Sequence, residues 1–410
     1  MKSISLLLLL HTLAVSLAGS QPATNGISIG TIDTIYSKVL KEKREIWVHV
    51  PNTEAGAIYS QKAGFPVVYL LDGPGHFHFV MAMLQQLSGN TVCPDMILVG
   101  ISNTDRTRDL TPTHISAGQN RDSNTARTSG GGEEFTRFIE EELIPHIDSL
   151  YSTKPYRMLI GHSLGGLLAI NTLINHPHLF NSYVAIDPSM WWDDQKLLKQ
   201  AGRVFREKSF EGKALFLGVA NTMELGMDTL RVRKDTTAAT AHIRSILQLK
   251  DLLISNRHNG LRWNSKYYNE EDHGTVPLLT EYDAFHFLFS EYKMPAIAHL
   301  LDSTVDARSV IVEHYARVSK QLGYTVLPPE PLVNQLGYNC LQTKLLSKAK
   351  TLFEMNIANY PESFNVYDSM GDFYSAREDK QKAIEYFSKA LTLREYPETR
   401  AKLEKLRATK

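Results

Sequence analysis

The apolar run Met158-Leu159-Ile160 passes without a break into Gly161-His162-Ser163-Leu164-Gly165-Gly166 and then into a helical stretch from about Leu164 to His176. A serine at the apex of a strand-to-helix turn is held in a strained backbone conformation that pushes its hydroxyl clear of the sheet. Such a turn tolerates only small residues two positions to either side, and Gly161 and Gly165 meet that demand. The helix that follows aims its first N–H groups at the space above Ser163, where a tetrahedral oxyanion would form. The same letters can spell a purely structural Gly-rich turn, so the rest of the chain has to decide between the two readings.

The flanking chain reads as alternating strands and helices. Asp33 to Leu40 and Arg44 to Val50 alternate apolar and polar residues, which predicts an antiparallel pair with one wet face. Phe65 to Leu71 and Met96 to Ile101 are near-continuous apolar runs, as strands buried on both faces must be. The first ends in Asp72-Gly73-Pro74-Gly75-His76, and the second in a polar stretch from Ser102 to Asp109. A helical run from Phe79 to Leu87 lies between them, and another, from Glu133 to Tyr151, leads to the Ser163 strand with acids in its first turn. Later strands are expected over Ser182–Ile186, Lys213–Ala220 and Leu261–Tyr268, with a helix over about Ala238–Asn256. This is an α/β fold, a mostly parallel, doubly wound sheet whose chemistry sits at the carboxyl ends of its strands.

In chains that use such a serine, the partners follow in the order serine, acid, histidine, each on a loop after a later strand. His273, in Asn269-Glu270-Glu271-Asp272-His273-Gly274 directly after the last strand, is the expected general base. His162 is a poorer candidate, because a side chain next to the nucleophile points away from its hydroxyl. The acids beyond the Lys213–Ala220 strand are Glu224 and Asp228; Glu224, nearer the strand end, is preferred. Trp191 and Trp192, after Asp187-Pro188-Ser189, either wall an apolar acyl pocket or plug the core beneath a lid. The long polar loop from Thr111 to Gly132 carries Arg121 and Arg127; with Arg106 and Arg108 these either receive an anionic substrate group or are solvated surface charge.

From about Asp33 to Leu300 the chain resembles the putative-esterase branch of the α/β hydrolases, the group that includes the enterobactin-type siderophore esterases and esterase D. The matching stretches are Tyr69-Leu70-Leu71-Asp72-Gly73, Val99-Gly100-Ile101 with Asn103-Thr104, the Ser163 turn, Asp187-Pro188-Ser189 with Trp191-Trp192, and Glu271-Asp272-His273-Gly274. The resemblance implies Ser163 as nucleophile, His273 as base, and an oxyanion hole made by the Leu164 N–H and an N–H in the loop after Asp72. The chain departs from the pattern at Pro74, which has no N–H where relatives donate, so Gly73 or Gly75 has to replace it. Some relatives manage with a Ser-His dyad, which leaves the acid open.

Composition removes several other classes. Lys and Arg total 44 and so do Asp and Glu, so no bulk field draws nucleic acid or anionic membrane. Cys93 and Cys340 are the only cysteines and read as two buried thiols. No Cys/His spacing suits zinc, and the chemistry proposed for Ser163 requires no metal or organic cofactor. Residues 1–20, one lysine followed by an apolar run and then Ala18-Gly19-Ser20, read as a signal peptide cut after Ser20, which predicts a secreted or periplasmic protein without a transmembrane span.

The C-terminal third is organised differently. After Tyr315–Leu322 and the break at Pro328-Pro329-Glu330-Pro331, Gly337 recurs as Gly371, Ala349 as Ala383 and Phe353 as Phe387, a spacing of 34 residues. That is the tetratricopeptide period, with small residues where paired helices touch. Two repeats and a final helix are too few to stand alone, so they are expected to pack on the hydrolase unit, as a cap, a dimer contact or a protein-binding groove. The expected division is a signal peptide at 1–20, the α/β-hydrolase unit at 21–300, a helical linker at 301–331 and an all-α repeat domain at 332–410. The expected activity is hydrolysis of a small-molecule ester, of siderophore-lactone or feruloyl type; the competing reading is a catalytically silent protein that binds a partner through the repeats.

Overall fold

The computed structural model describes residues 28–51, 64–116, 123–224 and 226–408. The expected signal peptide and Arg121 lie outside the described residues. Among those described, no helix is long and apolar enough to cross a membrane.

Eight strands form one sheet: β1 (Thr31–Ser37), β2 (Glu42–His49), β3 (Phe65–Leu70), β4 (Ile97–Ile101), β5 (Thr153–His162), β6 (Ser182–Ile186), β7 (Ala214–Ala220) and β8 (Arg262–Tyr268), in the order β1-β2-β4-β3-β5-β6-β7-β8. β1 and β2 pair antiparallel, as does β2 with β4, and every other pairing is parallel. This is an α/β-hydrolase sheet. β3, β4, β6 and β7 are buried at every residue, which is why their sequences are unbroken apolar runs, whereas β1 and β2 alternate because one face stays wet.

The helices of this unit are α1 (Gly73–Gly89), α2 (Arg106–Leu110), α3 (Ser123–Thr128), α4 (Gly132–Phe138), α5 (Ile144–Leu150), α6 (Leu164–Asn175), α7 (Trp192–Glu207), α8 (Ala241–Ser255) and α9 (Val276–Leu288). Helix α1 starts six residues before the expected Phe79, because Asp72 takes a left-handed conformation and Pro74 is tolerated in a first helical turn. The expected helix 133–151 is α4 and α5 joined by one π-helical turn, Ile139–Leu143.

Beyond the sheet come α10 (Ile297–Leu301), α11 (Ala307–Leu322), α12 (Glu330–Gln342), α13 (Leu346–Asn359), α14 (Phe364–Ala376), α15 (Lys380–Leu393) and α16 (Pro397–Ala408). The 34-residue period reappears as packing: a Cβ on Gly337 would lie 2.6 Å from the Phe353 ring, and one on Gly371 would lie 2.5 Å from the Phe387 ring. The segment expected as a helical linker carries α11 and packs against the cores on both sides of it. Helix α11 gives Val318 and Leu322 to the core on one face of the sheet, and Ala307, Ile311 and Tyr315 to the core of the helical tail.

Candidate active site

Five loops, at the carboxyl ends of β3, β4, β5, β6 and β8, build the site. Ser163, between β5 and α6, has φ 58° and ψ −113°, the strained turn conformation its neighbours predict. Its N–H donates to Ile186 O (2.9 Å), and its carbonyl accepts from Leu167 (2.9 Å) and Ser189 (3.0 Å), which pins the apex to β6 and to α6. A Cβ on Gly161 would sit 2.2 Å from Gly165 O, so this glycine is obligatory. The Ser163 hydroxyl shares a hydrogen bond of 3.2 Å with Ser189 Oγ.

The acid that meets His273 is Asp187, not Glu224. Nδ1 of His273 lies 2.6 Å from Asp187 Oδ2. Glu224 is exposed, and among the described residues nothing pairs with its side chain; Asp228, also exposed, caps the N–H groups of Leu230 and Arg231. The physical reason is the turn after β6. Asp187 has φ 40°, a left-handed kink that turns its carboxylate across the ends of β6 and β7, where Oδ1 accepts the Ala220 N–H (3.0 Å). Burial alone would push this carboxyl up, but hydrogen bonds from His242 and His273, with the Ala220 N–H, hold it well below the usual range.

His242, in the first turn of α8, is a second histidine on the same acid: its Nε2 is 2.7 Å from Asp187 Oδ2. Nδ1 of His242 receives the Trp191 indole N–H at 2.9 Å. The half-buried Trp191 is thus tied to the acid cluster, and Trp192, 2 % exposed with its indole N–H on Thr113 O (3.0 Å), is a core plug. Of the two alternatives read from the sequence, the burial of Trp192 fits the plug, while Trp191 keeps part of its ring accessible. On the other side, the His162 ring lies 4.5 Å from that of His273, and His76 lies 5.8 Å beyond His162. Burial, followed by repulsion from His273 and His76, lowers His162 to about 4 and keeps it neutral.

Arg106, read as a substrate cation or solvated charge, lines the cleft with its guanidinium ion-paired. Its guanidinium grips Asp72 through Nε (2.8 Å) and a terminal nitrogen (2.9 Å), and Asn103 donates to the same carboxylate at 2.5 Å. Arg108 is likewise paired, with Glu42 and Asp109, and Arg44, fully buried, joins them. Arg127 lies in the surface helix α3, exposed. These pairs lock the loop after β4 onto the loop after β3, so the arginines shape the cleft floor by Asp72, Pro74, Gly75, Ser102, Asn103 and His162. Of the two glycines expected to replace the Pro74 donor, Gly75 gives its N–H to Asp72 O (3.0 Å) and closes the turn. Gly73 lies in the first turn of α1, as Leu164 does in α6, where a helix has no carbonyl of its own to take the N–H.

Asp187, His242 and His273 also form the one group of three possible metal ligands among the described residues. The indole is a donor only, so Nδ1 of His242 must accept and Nε2 must carry the proton. That nitrogen has no lone pair for a metal while Trp191 holds it.

Residues 37–241 match the family model described as "Putative esterase". The chain belongs to this esterase family. It is 37 % identical over 152 residues to the ferri-bacillibactin esterase BesA of Bacillus subtilis, covering 34 % of this chain and spanning about half (52 %) of BesA. It is 28 % identical over 240 residues to the siderophore enterobactin esterase of Emericella nidulans, 51 % of this chain and 77 % of that protein. A crystal structure of an IroE-like serine hydrolase from Shewanella oneidensis superposes with a TM-score of 0.67 at 30 % identity, covering 80 % of this chain and 98 % of that one. Within this esterase-family chain, sequence reasoning passed over Asp187, although it had marked the Asp-Pro-Ser turn, because it sought the acid after β7. His242 lies 55 residues from its partner on an ordinary helix, and no local pattern signals it.

Proposed function

We propose that this chain is a serine esterase that cleaves carboxylic esters through an acyl-enzyme. Ser163 Oγ leaves Ser189, gives its proton to Nε2 of His273 and attacks the ester carbonyl. The N–H groups of Leu164 and Gly73 receive the oxyanion, and Asp187 holds the imidazole in the Nδ1–H tautomer and stabilises the imidazolium. Collapse returns the proton to the departing alcohol, and water repeats the sequence on the acyl-serine. The single observation that carries this reading is the 2.6 Å bond between His273 and buried Asp187 beside a serine held at φ 58°.

The relatives' names support a siderophore-type oligo-ester as substrate over a feruloyl ester. The apolar leader at 1–20 supports action outside the cytosol, and the paired helices of the tail support a tetratricopeptide-like cap on the hydrolase unit. The test is labelling by a fluorophosphonate together with hydrolysis of a panel of short-chain nitrophenyl, feruloyl and catecholate-lactone esters. Labelling should vanish in Ser163→Ala and the lactones should turn over fastest. A folded protein that neither labels nor hydrolyses any ester refutes the proposal and leaves the silent binding reading.

A further inference from the structure

We propose that His242 is a positioning residue for the reaction, locked by Trp191 as a neutral Nε2–H donor that shares the Asp187 carboxylate with His273. This rests on the esterase reading above. An indole N–H can only donate, so the 2.9 Å contact makes Nδ1 of His242 an acceptor and places the ring's one proton on Nε2. That proton then points at Asp187 Oδ2, 2.7 Å away, the same oxygen that His273 Nδ1 approaches to 2.6 Å. With Ala220 N–H on Oδ1, the carboxylate is satisfied from three directions by groups on β7, α8 and the loop after β8. The acid is fully buried, so no water stands in for a lost donor.

The consequence falls on His273. A second N–H on Oδ2, with the Ala220 N–H on Oδ1, fixes the plane of the carboxylate that aims His273. The other groups facing His273 are His162 at the end of β5 and Asp272 on its own loop; His76 of α1 stands behind His162, and Glu281 of α9 behind His76.

The experiment compares wild type, His242→Gln, His242→Phe and Trp191→Phe, with turnover expressed per fluorophosphonate-labelled site across pH 5 to 9. His242→Phe should lose about 10- to 100-fold in kcat, as loss of a bond to a charged group does. KM should stay within about threefold. His242→Gln, whose amide can donate, should recover much of the lost kcat. A part that merely supports the fold would reduce the number of labelled sites without lowering turnover per site. Wild-type kcat per labelled site in folded His242→Phe overturns the proposal. Nitrogen-15 spectra of the histidines give a second reading that needs neither turnover nor the His242 variants. His242 should show the Nε2–H tautomer in wild type and lose that preference in Trp191→Phe; an Nδ1–H form in wild type overturns the lock. If wild type neither labels nor hydrolyses esters, it is the esterase reading that fails, and the spectra still decide the tautomer.

Discussion

Replacing Asp187 by asparagine tests the corrected acid most severely, because the replacement keeps the shape and reverses one hydrogen-bonding edge. The Ala220 N–H at 3.0 Å from Oδ1 will hold the amide oxygen on that side. The amide NH2 must then take the Oδ2 position, where it meets two donors, His242 Nε2 at 2.7 Å and His273 Nδ1 at 2.6 Å. Donor cannot face donor, so His273 is driven to the tautomer with its proton on Nε2 and none to accept from Ser163. Tautomer inversion of this kind costs about 10⁴ in kcat, or about 5.5 kcal/mol of barrier. Glu224→Gln removes an exposed, unpaired carboxylate and should change kcat by less than about twofold. The assay is kcat on a short-chain nitrophenyl ester, with the rate of fluorophosphonate labelling beside it, since both need the base, and circular dichroism to show that the variants are folded. A folded Asp187→Asn within tenfold of wild type, or a Glu224→Gln that falls as far, would refute the assignment.

Glu281 is fully buried, its carboxyl is pushed up to about 7 by burial, and His76 Nδ1 lies 3.7 Å from it. Native protein binds the proton that unfolded protein has released between about pH 4.5 and 7, so stability from this group falls as pH rises through that window. Glu281→Gln should be more stable than wild type above pH 7 by up to about 3 kcal/mol and equal to it below pH 4.5; urea unfolding at pH 5, 6, 7 and 8 reads this, and an unchanged pH slope counts against it. His162, lowered to about 4, works in the opposite sense, because its unfolded form binds the extra proton between about pH 4 and 6.5, so the variant should uncover a rise in stability across that range. Truncation after Pro328 strips the partners of Leu300, Ile311 and Tyr315, all buried against the tail, at about 1.5–3 kcal/mol each. Its melting temperature should drop by several degrees while turnover per labelled site is kept; unchanged melting with loss of one substrate class would instead make the tail part of the pocket.

Much of this molecule is legible in one dimension, and the reason is local. A strand buried on both faces has to be an apolar run, and a serine at the apex of a strained turn needs Gly161, so the sheet and the Ser163 elbow are written in adjacent residues. His273 is legible because the loop after the last strand is short, and the pairing of α12 with α13 and of α14 with α15 because a 34-residue period repeats the same glycine-to-phenylalanine contact. What only the tertiary structure decides is which charges meet. Asp187 follows β6 and Glu224 and Asp228 follow β7, and nothing in their spacing ranks them; the left-handed kink at φ 40° turns Asp187 inward, while the loop after β7 leaves the other two in water. Arg106 reads as a substrate cation or a solvated charge until the loop after β3 brings Asp72 against it, and Trp192 reads as a pocket wall or a core plug until its burial favours the plug. His242 is the extreme case: its role depends on a carboxylate 55 residues away and an indole 51 residues away, partners that meet only when α8 docks beside the ends of β6 and β7. Hydrogen bonds between side chains are satisfied across space, at distances no sequence period encodes.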